Sequence, residues 1–343
     1  MASPITEIVK PGNAGAGKSW IDHIQKDLPE HLEWWPYTLG AIPLTLFGIL
    51  VATGLLLTFY YVPSPEKAYE SVDEITNGVY LGWFVRGLHK TSVDLMILFL
   101  LFHVIRVFLT RGYRAPGELK WVSGSIVLFV TFAMGFTGYS LVFDNVSYWG
   151  MTVVTNMIGT FPVAGPPLLY LLRGGEEVSG ITLLRLYDLH TKLLPVLLGG
   201  LVLGHVVIVR LMGFADVEAS RRFHPFYPEH TLKMGAVAVG LLVLMVDVVM
   251  IFPPVLGPPA NPQEVASDVS PPWYFSAPYM WISLLPGPLA LWSLMGGAGL
   301  FVLYPFIDRA LAERRWPMAL VNGVVAAAVV AGMVILMYLD MQM

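Results

Sequence analysis

The chain has 343 residues, of which 56% are hydrophobic and 13% charged, and its mean hydropathy of +0.66 is too high for an ordinary soluble domain. This composition indicates a polytopic membrane protein. The formal net charge of −4 points to no particular partner, and no nucleic-acid partner is expected. Because the chain has no cysteine, disulfides, thiolate-bound iron–sulfur clusters and thioether attachment of a cofactor are excluded within it.

Apolar runs long enough to span a bilayer, at about 20 residues each, recur seven times along the chain. They lie at 37–60, 88–109, 121–143, 186–211, 232–252, 281–304 and 317–339. The sequence thus predicts an all-α fold in three parts, which are an N-terminal segment (1–33), a four-helix part (34–215) and a three-helix part (216–343). No cleavable signal peptide precedes the first run, so that run is expected to direct its own insertion.

The loops predict an orientation. Placing the N-terminus on the cytoplasmic side puts most of the 20 basic residues on or near that side, as membrane proteins prefer. The outer loops are long and acidic, and long loops are often functional. The second outer loop, 144–185, contains an amphipathic stretch, Ser147–Phe161, and the third, 253–280, is rich in proline and aromatic residues. Both loops face the same side, so together they can cover a pocket.

Two of the apolar runs carry a histidine near each end. His89 and His103 are 14 positions apart, and His190 and His205 are 15 apart. At about 100° and 1.5 Å per residue, the two histidines of a run lie within about 60° of one face and about 21 to 23 Å apart. Two such helices side by side can therefore hold two hemes, each with an imidazole on either side of its iron.

The predicted orientation assigns partners to these histidines. Both helices run from outside to inside, so His89 pairs with His190 near the outer face and His103 with His205 near the inner face. A single histidine in an apolar helix is more often a satisfied core residue than a ligand. Two matched pairs favour ligation, because an imidazole in hydrocarbon is costly unless it has a partner.

Glycines repeat the same spacing on two other runs, where Gly40 and Gly54, and Gly124 and Gly138, are each 14 apart. A helix without a side chain at these levels lets a porphyrin edge approach the backbone, although ordinary small-residue packing is an alternative. Cations near the histidines are candidate partners for anionic heme propionates, with interface snorkelling as the alternative for at least half of them. They are Arg86 and Lys90 at the outer end and Arg106, Arg114 and Arg210 at the inner end.

Several short motifs resemble the cytochrome b subunit of Rieske/cytochrome b quinol oxidoreductases of the bc and bf types. They are Thr58–Tyr61, Trp83–Arg86, His103–Arg106, Gly117–Trp121, Gly138–Leu141, Tyr148–Met151 and Leu189–Thr191. The resemblance runs from about Trp34 to Pro317. The 15-residue step and the seven helices resemble the bf-type organisation, in which the first four and last three helices are often separate polypeptides. Here they are joined.

The resemblance implies two b hemes held by the four histidines, a quinol-oxidising pocket on the outer side and a second quinone site near the inner heme. It also implies proton translocation in a prokaryotic cytoplasmic membrane, and a homodimer within a multi-subunit complex. The implied partners are a Rieske iron–sulfur protein and a c-type cytochrome or another high-potential acceptor. No further covalent heme is expected, since Thr38 stands where bf-type proteins have the attaching cysteine.

The outer pocket of the family maps onto Tyr148–Phe161, which includes Gly150, and onto Pro271–Tyr274. The family signature in the second segment is Pro-Glu-Trp-Tyr, but here Pro272 precedes Trp273 and Tyr274. The glutamate is thought to accept a proton from quinol, which proline cannot do. Asp268 is therefore the candidate acceptor with the Tyr274 hydroxyl as a relay, and a solvated loop carboxylate is the alternative reading of Asp268. Loss of the glutamate favours a low-potential menaquinone as the substrate.

Two other functions stay open on the sequence. One is a di-heme membrane anchor that links the quinone pool to a different oxidoreductase without splitting the two electrons of quinol. The other is a heme-free transporter or scaffold.

A reduced-minus-oxidised difference spectrum separates these classes. The purified protein is expected to show the α band of b-type heme, because four histidines at matched levels provide two bis-histidine sites. A heme assay is expected to find two hemes per chain. A spectrum without an α band would instead identify a heme-free membrane protein.

Overall fold

The computed structural model of the chain describes residues 28–29, 35–213, 223–224, 226–263 and 271–342. Helices dominate these residues, as predicted, and one short antiparallel ladder joins Leu28–Pro29 (β1) to Phe223–His224 (β2). The helices of the first part are Ala41–Thr58 (α1), Ala68–Asn77 (α2), Gly82–Leu109 (α3), Glu118–Ser140 (α4), Asn145–Gly159 (α5), Gly165–Arg173 (α6), Gly180–Asp188 (α7) and Leu194–Met212 (α8). Those of the second part are Thr231–Ile251 (α9), Trp273–Leu284 (α10), Gly287–Glu313 (α11) and Met318–Asp340 (α12).

Seven helical segments in the described ranges are long and apolar enough to cross a membrane, which confirms the predicted number. They are α1 with its preceding 3-10 turn, α3, α4, the continuous segment from α7 to α8, α9 with the turn before it, α11 and α12. The predicted fold class, an all-α polytopic membrane protein, is therefore confirmed.

The predicted run 281–304 is wrong in its position. The chain breaks between α10 and α11, where Leu285 is extended at φ −120° and ψ 150° and Pro286 caps the next helix. A residue before proline avoids the helical region, which explains the break. The sixth span is therefore Gly287–Glu313, and the 12-residue α10 is too short to cross a bilayer.

The core of the four-helix part lies between two helix pairs, α1 with α3 and α4 with α8. Buried side chains from all four of these helices meet there, and α9 of the three-helix part adds two more. They are Leu46, Met96, Val127, Leu198, Leu241 and Met245. The histidine-bearing helices α3 and α8 therefore lie in one apolar bundle, and α9 packs against it.

The predicted amphipathic stretch forms α5. Its first turn is capped by Asp144, whose carboxylate accepts a hydrogen bond from the Ser147 amide at 2.9 Å. Met151 of α5 is fully buried in a second apolar cluster on the outer side, together with Ala68, Phe143, Leu183 and Leu186. The second outer loop is thus an ordered layer packed on the ends of the bundle.

A buried polar network joins the four-helix part to the three-helix part. Arg111, in the connection between α3 and α4, forms an ion pair of 2.5 Å with Asp308 of α11, and Asp308 is 2% exposed. The Tyr113 hydroxyl also donates to Asp308, at 3.2 Å. Asn322 of α12 donates to the Tyr113 hydroxyl and accepts from Tyr304. Polar groups in this apolar setting stabilise the joint because each has a partner.

Replacing Asp308→Ala should lower the free energy of unfolding by about 3 kcal/mol, because it leaves Arg111, whose side chain is only 16% exposed, without its carboxylate. Unfolding in detergent micelles, followed by circular dichroism, measures the effect. Arg309→Ala is the matched control: Arg309 lies 3.9 Å from Glu118 and is 65% exposed, so its loss should change stability by less than about 1 kcal/mol. Equal effects of the two substitutions would contradict the assigned role of the joint.

Candidate functional site

The two rings of the outer histidine pair lie on opposite sides of the interior of the bundle. His89 on α3 and His190, between α7 and α8, have ring centroids 6.4 Å apart. One metal ion bound to two imidazole nitrogens at about 2 Å each would place the rings at about this separation. His190 lies in a π-helical turn, Leu189–Leu193, directly before Pro195. Proline lacks an N–H and its ring crowds the carbonyl four residues earlier, which favours a wider turn at this point.

The inner histidine pair lines a cavity of about 340 Å³ between the same helices. His103 and His205 lie on its wall, with the backbones of Gly40 and Gly124 beside them. Basic side chains also line it, namely Arg106, Lys120, Arg210 and His230. The cavity thus combines imidazole nitrogens with positive charge, the chemistry needed by a metal-bearing, anionic ligand.

The four predicted glycines contact the four histidine rings. A Cβ on Gly40 would lie 3.1 Å from Cε1 of His103, and one on Gly54 would lie 3.2 Å from Cε1 of His89. The corresponding distances are 3.0 Å from Gly124 to His205 and 2.6 Å from Gly138 to His190. A larger residue at any of these positions would push the imidazole inward. The glycines therefore clear space for the rings, a more specific role than the predicted approach of a porphyrin edge.

Hydroxyl groups orient three of the four rings. Thr53, Ser123 and Thr137 lie 2.9, 2.9 and 3.1 Å from Nδ1 of His89, His205 and His190, respectively. Each hydroxyl also lies near a backbone carbonyl of its own helix, such as that of Ile49 for Thr53. A hydroxyl that donates its only proton to a carbonyl must accept from the imidazole. The proton then sits on Nδ1, which leaves the Nε2 lone pair for a metal.

The fourth ring has a different neighbour. Leu39 occupies the position before Gly40, where the other three glycines follow Thr or Ser, and Nδ1 of His103 lies 3.4 Å from a guanidinium nitrogen of Arg106. Sequence reasoning missed the three hydroxyls. The repeated dipeptides Thr-Gly and Ser-Gly were the available signal, since the hydroxyl adjoins the glycine that clears the ring.

The segment Pro271–Tyr274 docks on the outer half of the bundle. Pro272 caps α10, and the Trp273 indole donates a hydrogen bond of 3.0 Å to Asp94 on α3. The Tyr274 ring packs on α4, where a Cβ on Gly135 would lie 3.4 Å from it. Burial, followed by the charge of Asp94, raises the pKa of the Tyr274 hydroxyl. The predicted residues Pro272, Trp273 and Tyr274 therefore lie beside the bundle that carries the outer histidines.

Tyr139 faces the same outer region. It lies four residues after Gly135, on the same face of α4. Its hydroxyl is buried and has no hydrogen-bond partner among the described residues. A Cβ on Gly150 of α5 would lie 3.0 Å from that oxygen, so Gly150 leaves room for it. An unsatisfied buried hydroxyl is costly, and a polar ligand would satisfy it.

The second and third outer loops contact each other, as expected for two loops that cover one pocket. The Asn145 amide donates to the Pro258 carbonyl at 2.9 Å, and Asp144 pairs with Pro259 in an isolated bridge. Arg86 lies in the same region, 3.4 Å from the carbonyls of Pro254 and Val255. Residues 254–259 therefore join the second outer loop to the third.

The remaining predicted residues have different surroundings. Lys90 forms an ion pair of 3.1 Å with Asp94. Arg106 and Arg210 line the inner cavity, whereas Arg114 is exposed and does not line it. Asp268 lies outside the described residues. Asp94 was missed by sequence reasoning, although a charged residue inside an apolar run is a recognised signal of function.

The fold and site define a multi-pass membrane protein with two histidine pairs at two levels of one helical bundle. Residues 23–213 match the family model described as cytochrome b/b6/petB, and the chain belongs to this family. It is a cytochrome b of the bc/b6f type, an electron-transport protein whose family carries b-type heme.

Relatives and a solved structure agree with this family. The chain is 42% identical to cytochrome b6 of Synechococcus elongatus over 194 residues, which cover 57% of this chain and 90% of that protein. It has the same identity and coverage with cytochrome b6 of Tupiella akineta. A solved chain of a hyperthermophilic respiratory Complex III shares the fold at a TM-score of 0.75 and 24% identity, over 94% of this chain and 98% of that one. The shared fold therefore extends beyond the family match into the three-helix part.

Proposed function

We propose that the chain is the cytochrome b subunit of a quinol oxidoreductase that oxidises quinol on the outer side and carries electrons across the membrane to an inner quinone site. The observation that carries the proposal is the outer histidine pair, whose rings face each other at 6.4 Å. A second pair lies 14 residues further along α3, or about 21 Å, at the inner cavity. Two redox centres at this spacing form a two-step path for electrons.

The proposed heme ligands are His89 with His190 and His103 with His205. All four histidines are half-buried in the bundle, and the hydroxyls of Thr53, Ser123 and Thr137 favour a free Nε2 on three of them. Bound heme supplies one-electron oxidation and reduction; the chain holds it, orients its ligands and excludes water. No covalent heme is proposed, since the chain lacks cysteine.

The proposed propionate partners differ between the two levels. At the inner level Arg106 and Arg210 line the cavity, and Lys120 adds a charge that the sequence had not suggested. At the outer level the contacts of Arg86 and Lys90 favour other roles, because Arg86 lies against loop carbonyls and Lys90 pairs with Asp94.

The proposed quinol pocket lies between α4, α5 and α10. Tyr139 offers a buried hydroxyl without a partner among the described residues, and Trp273 and Tyr274 bring aromatic surface to the same side. A quinol has two hydroxyl groups on an aromatic ring, so it matches both features. We propose menaquinone as the substrate, since Pro272 removes the family acid.

The proposed assembly follows from this chemistry. One electron of each quinol goes to a high-potential acceptor, for which we propose a Rieske iron–sulfur protein with a c-type cytochrome, and the other goes through the hemes. With the N-terminus inside a prokaryotic cytoplasmic membrane, protons are released outside and consumed inside. The complex is proposed to be a homodimer with further subunits.

A di-heme anchor without electron splitting is the second candidate, favoured by the absence of an acid at Pro272. A Rieske-type electron paramagnetic resonance signal, and inner-heme reduction that depends on outer-site turnover, would favour the first function. Their absence from the purified complex would favour the anchor.

Replacing Thr53→Val should change the midpoint potential of the outer heme and weaken its retention, because the isosteric side chain cannot accept the Nδ1 proton of His89. Loss of such a partner typically costs about 10- to 100-fold in metal affinity. Redox titration of the α band and the heme-to-protein ratio measure the two effects.

Ser123→Ala is the reciprocal control for the Thr53 variant, since Ser123 contacts His205 at the inner level. It should change the inner potential and leave the outer one unaltered. Changes at both levels in either variant would contradict the assignment of separate ligand pairs.

Replacing Tyr139→Phe should raise the KM for quinol up to about tenfold, the effect of losing one hydrogen bond. Chain stability should stay the same or rise, because the variant removes a buried hydroxyl that has no partner in the described part of the chain. Steady-state kinetics and thermal unfolding in detergent measure the two quantities. An unchanged KM with lower stability would show that Tyr139 serves the fold alone.

A further inference from the structure

Asp94 is a carboxylate within the membrane-spanning helix α3 that the proposed function does not use. Its Oδ1 accepts a hydrogen bond of 3.0 Å from the indole of Trp273, and its Oδ2 lies 3.1 Å from the Lys90 ammonium. The side chain is 30% exposed. An ionisable residue in a membrane span is costly and is usually retained for a function.

Asp94 lies close to the outer histidine pair along α3. It follows His89 by five residues, which is about 7.5 Å along the helix axis. Its bonding partner, Trp273, immediately follows Pro272, the position where the family has glutamate. Asp94 thus places a carboxylate on α3 beside the segment that lost one.

The carboxylate also has capacity for a further bond. An ionised carboxylate offers about four acceptor sites, and one donor from Trp273 and one from Lys90 are assigned here. Asp144, another acid near the outer pocket, accepts from the Ser147 amide as the cap of α5. Among the described residues, Asp94 is the acid hydrogen-bonded to the segment Pro271–Tyr274.

We propose that the carboxylate of Asp94 accepts a proton from quinol at the outer site and so replaces the glutamate missing at position 272. The inference rests on the proposed function, quinol oxidation. Each quinol loses two electrons and two protons on becoming quinone. A b heme held by His89 and His190 would take up one of the two electrons, and the high-potential one-electron acceptor would take up the other. One proton converts Asp94 to its acid form, and the other is released to the outer aqueous phase.

The test compares the wild-type complex with Asp94→Asn. Asparagine keeps an oxygen that accepts from Trp273 but cannot take up a proton, so the variant removes the chemistry and preserves the contact. Anaerobic reduction of the b hemes by added quinol should be about 100-fold slower, the typical effect of losing a general base. The heme content and both midpoint potentials should be unchanged, and Asp94→Glu should retain most of the rate.

The pH profile provides a separate readout. In the wild type the rate should fall at low pH, because a protonated carboxyl group cannot accept a second proton. This acid limb should be missing in Asp94→Asn. Two other titratable groups interact with Asp94. They are Lys90 on its own helix and Tyr274 on α10. Burial raises the pKa of the Tyr274 hydroxyl, so this group does not contribute to the acid limb.

Infrared difference spectroscopy provides a readout that does not depend on rate. Quinol-induced reduction of the wild-type complex should produce the carbonyl band of a protonated carboxyl group. The band should shift in heavy water and be absent in Asp94→Asn. Should that variant assemble poorly, the wild-type band and its pH dependence still decide the question, since an unchanged carboxylate would overturn the proposal.

Two aspartates act as controls. Asp247→Asn changes an exposed aspartate of the membrane-spanning helix α9 and should leave the rate unaltered. Asp268→Asn tests the candidate that the sequence alone suggested. In the Asp94→Asn background, Pro272→Glu should restore much of the rate, because it returns an acid to the same side of Trp273.

The outcomes separate the two proposals. A wild-type complex whose hemes quinol does not reduce would overturn the proposed function. A competent wild type with a normal rate in Asp94→Asn would overturn the role of Asp94, and a loss in Asp268→Asn alone would assign the acceptor to Asp268.

Discussion

The distance between facing imidazoles is the constraint on which the rest of this structure depends. His89 and His190 have ring centroids 6.4 Å apart, which requires two helices of a close-packed bundle to stay apart at that level and yet orient their rings toward each other. Glycines on the neighbouring helices clear the outer side of each ring, and adjacent hydroxyls turn three of the rings. Clearance therefore comes from α1, the turn before it and α4, and the three hydroxyls also lie on α1 and α4.

The joint between the four-helix and three-helix parts is held by hydrogen bonds among polar side chains. Asp308 accepts hydrogen bonds from Arg111 and Tyr113, and Asn322 donates one to the Tyr113 hydroxyl. In this apolar environment a polar group without a partner would be strongly destabilising. The network fixes α11 and α12 against the connection between α3 and α4. In this way the three-helix part, which supplies the segment Pro271–Tyr274, is joined rigidly to the part that carries the histidines.

Beside the outer histidine pair, an acid on α3 is hydrogen-bonded to the segment Pro271–Tyr274. Asp94 reaches that segment through the Trp273 indole, and α10 brings Tyr274 against Gly135. A carboxylate on a membrane helix is held by its backbone, whereas one on a loop depends on the loop's conformation.

Much of this protein was predictable from local pattern alone. Hydropathy predicted seven spans, and spacing at 3.6 residues per turn predicted which histidines share a face and which glycines lie at the same levels. Pro286 was visible too, but an apolar run does not reveal a break between two helices of similar composition, so the sixth span was misplaced. From the sequence, Asp94 could be recognised only as an acidic residue within an apolar run. Its contact with Trp273, 179 positions later, was decided by tertiary structure, as was the orientation of three imidazoles by hydroxyls on other helices. Such contacts join residues whose separation along the chain carries no periodic signal.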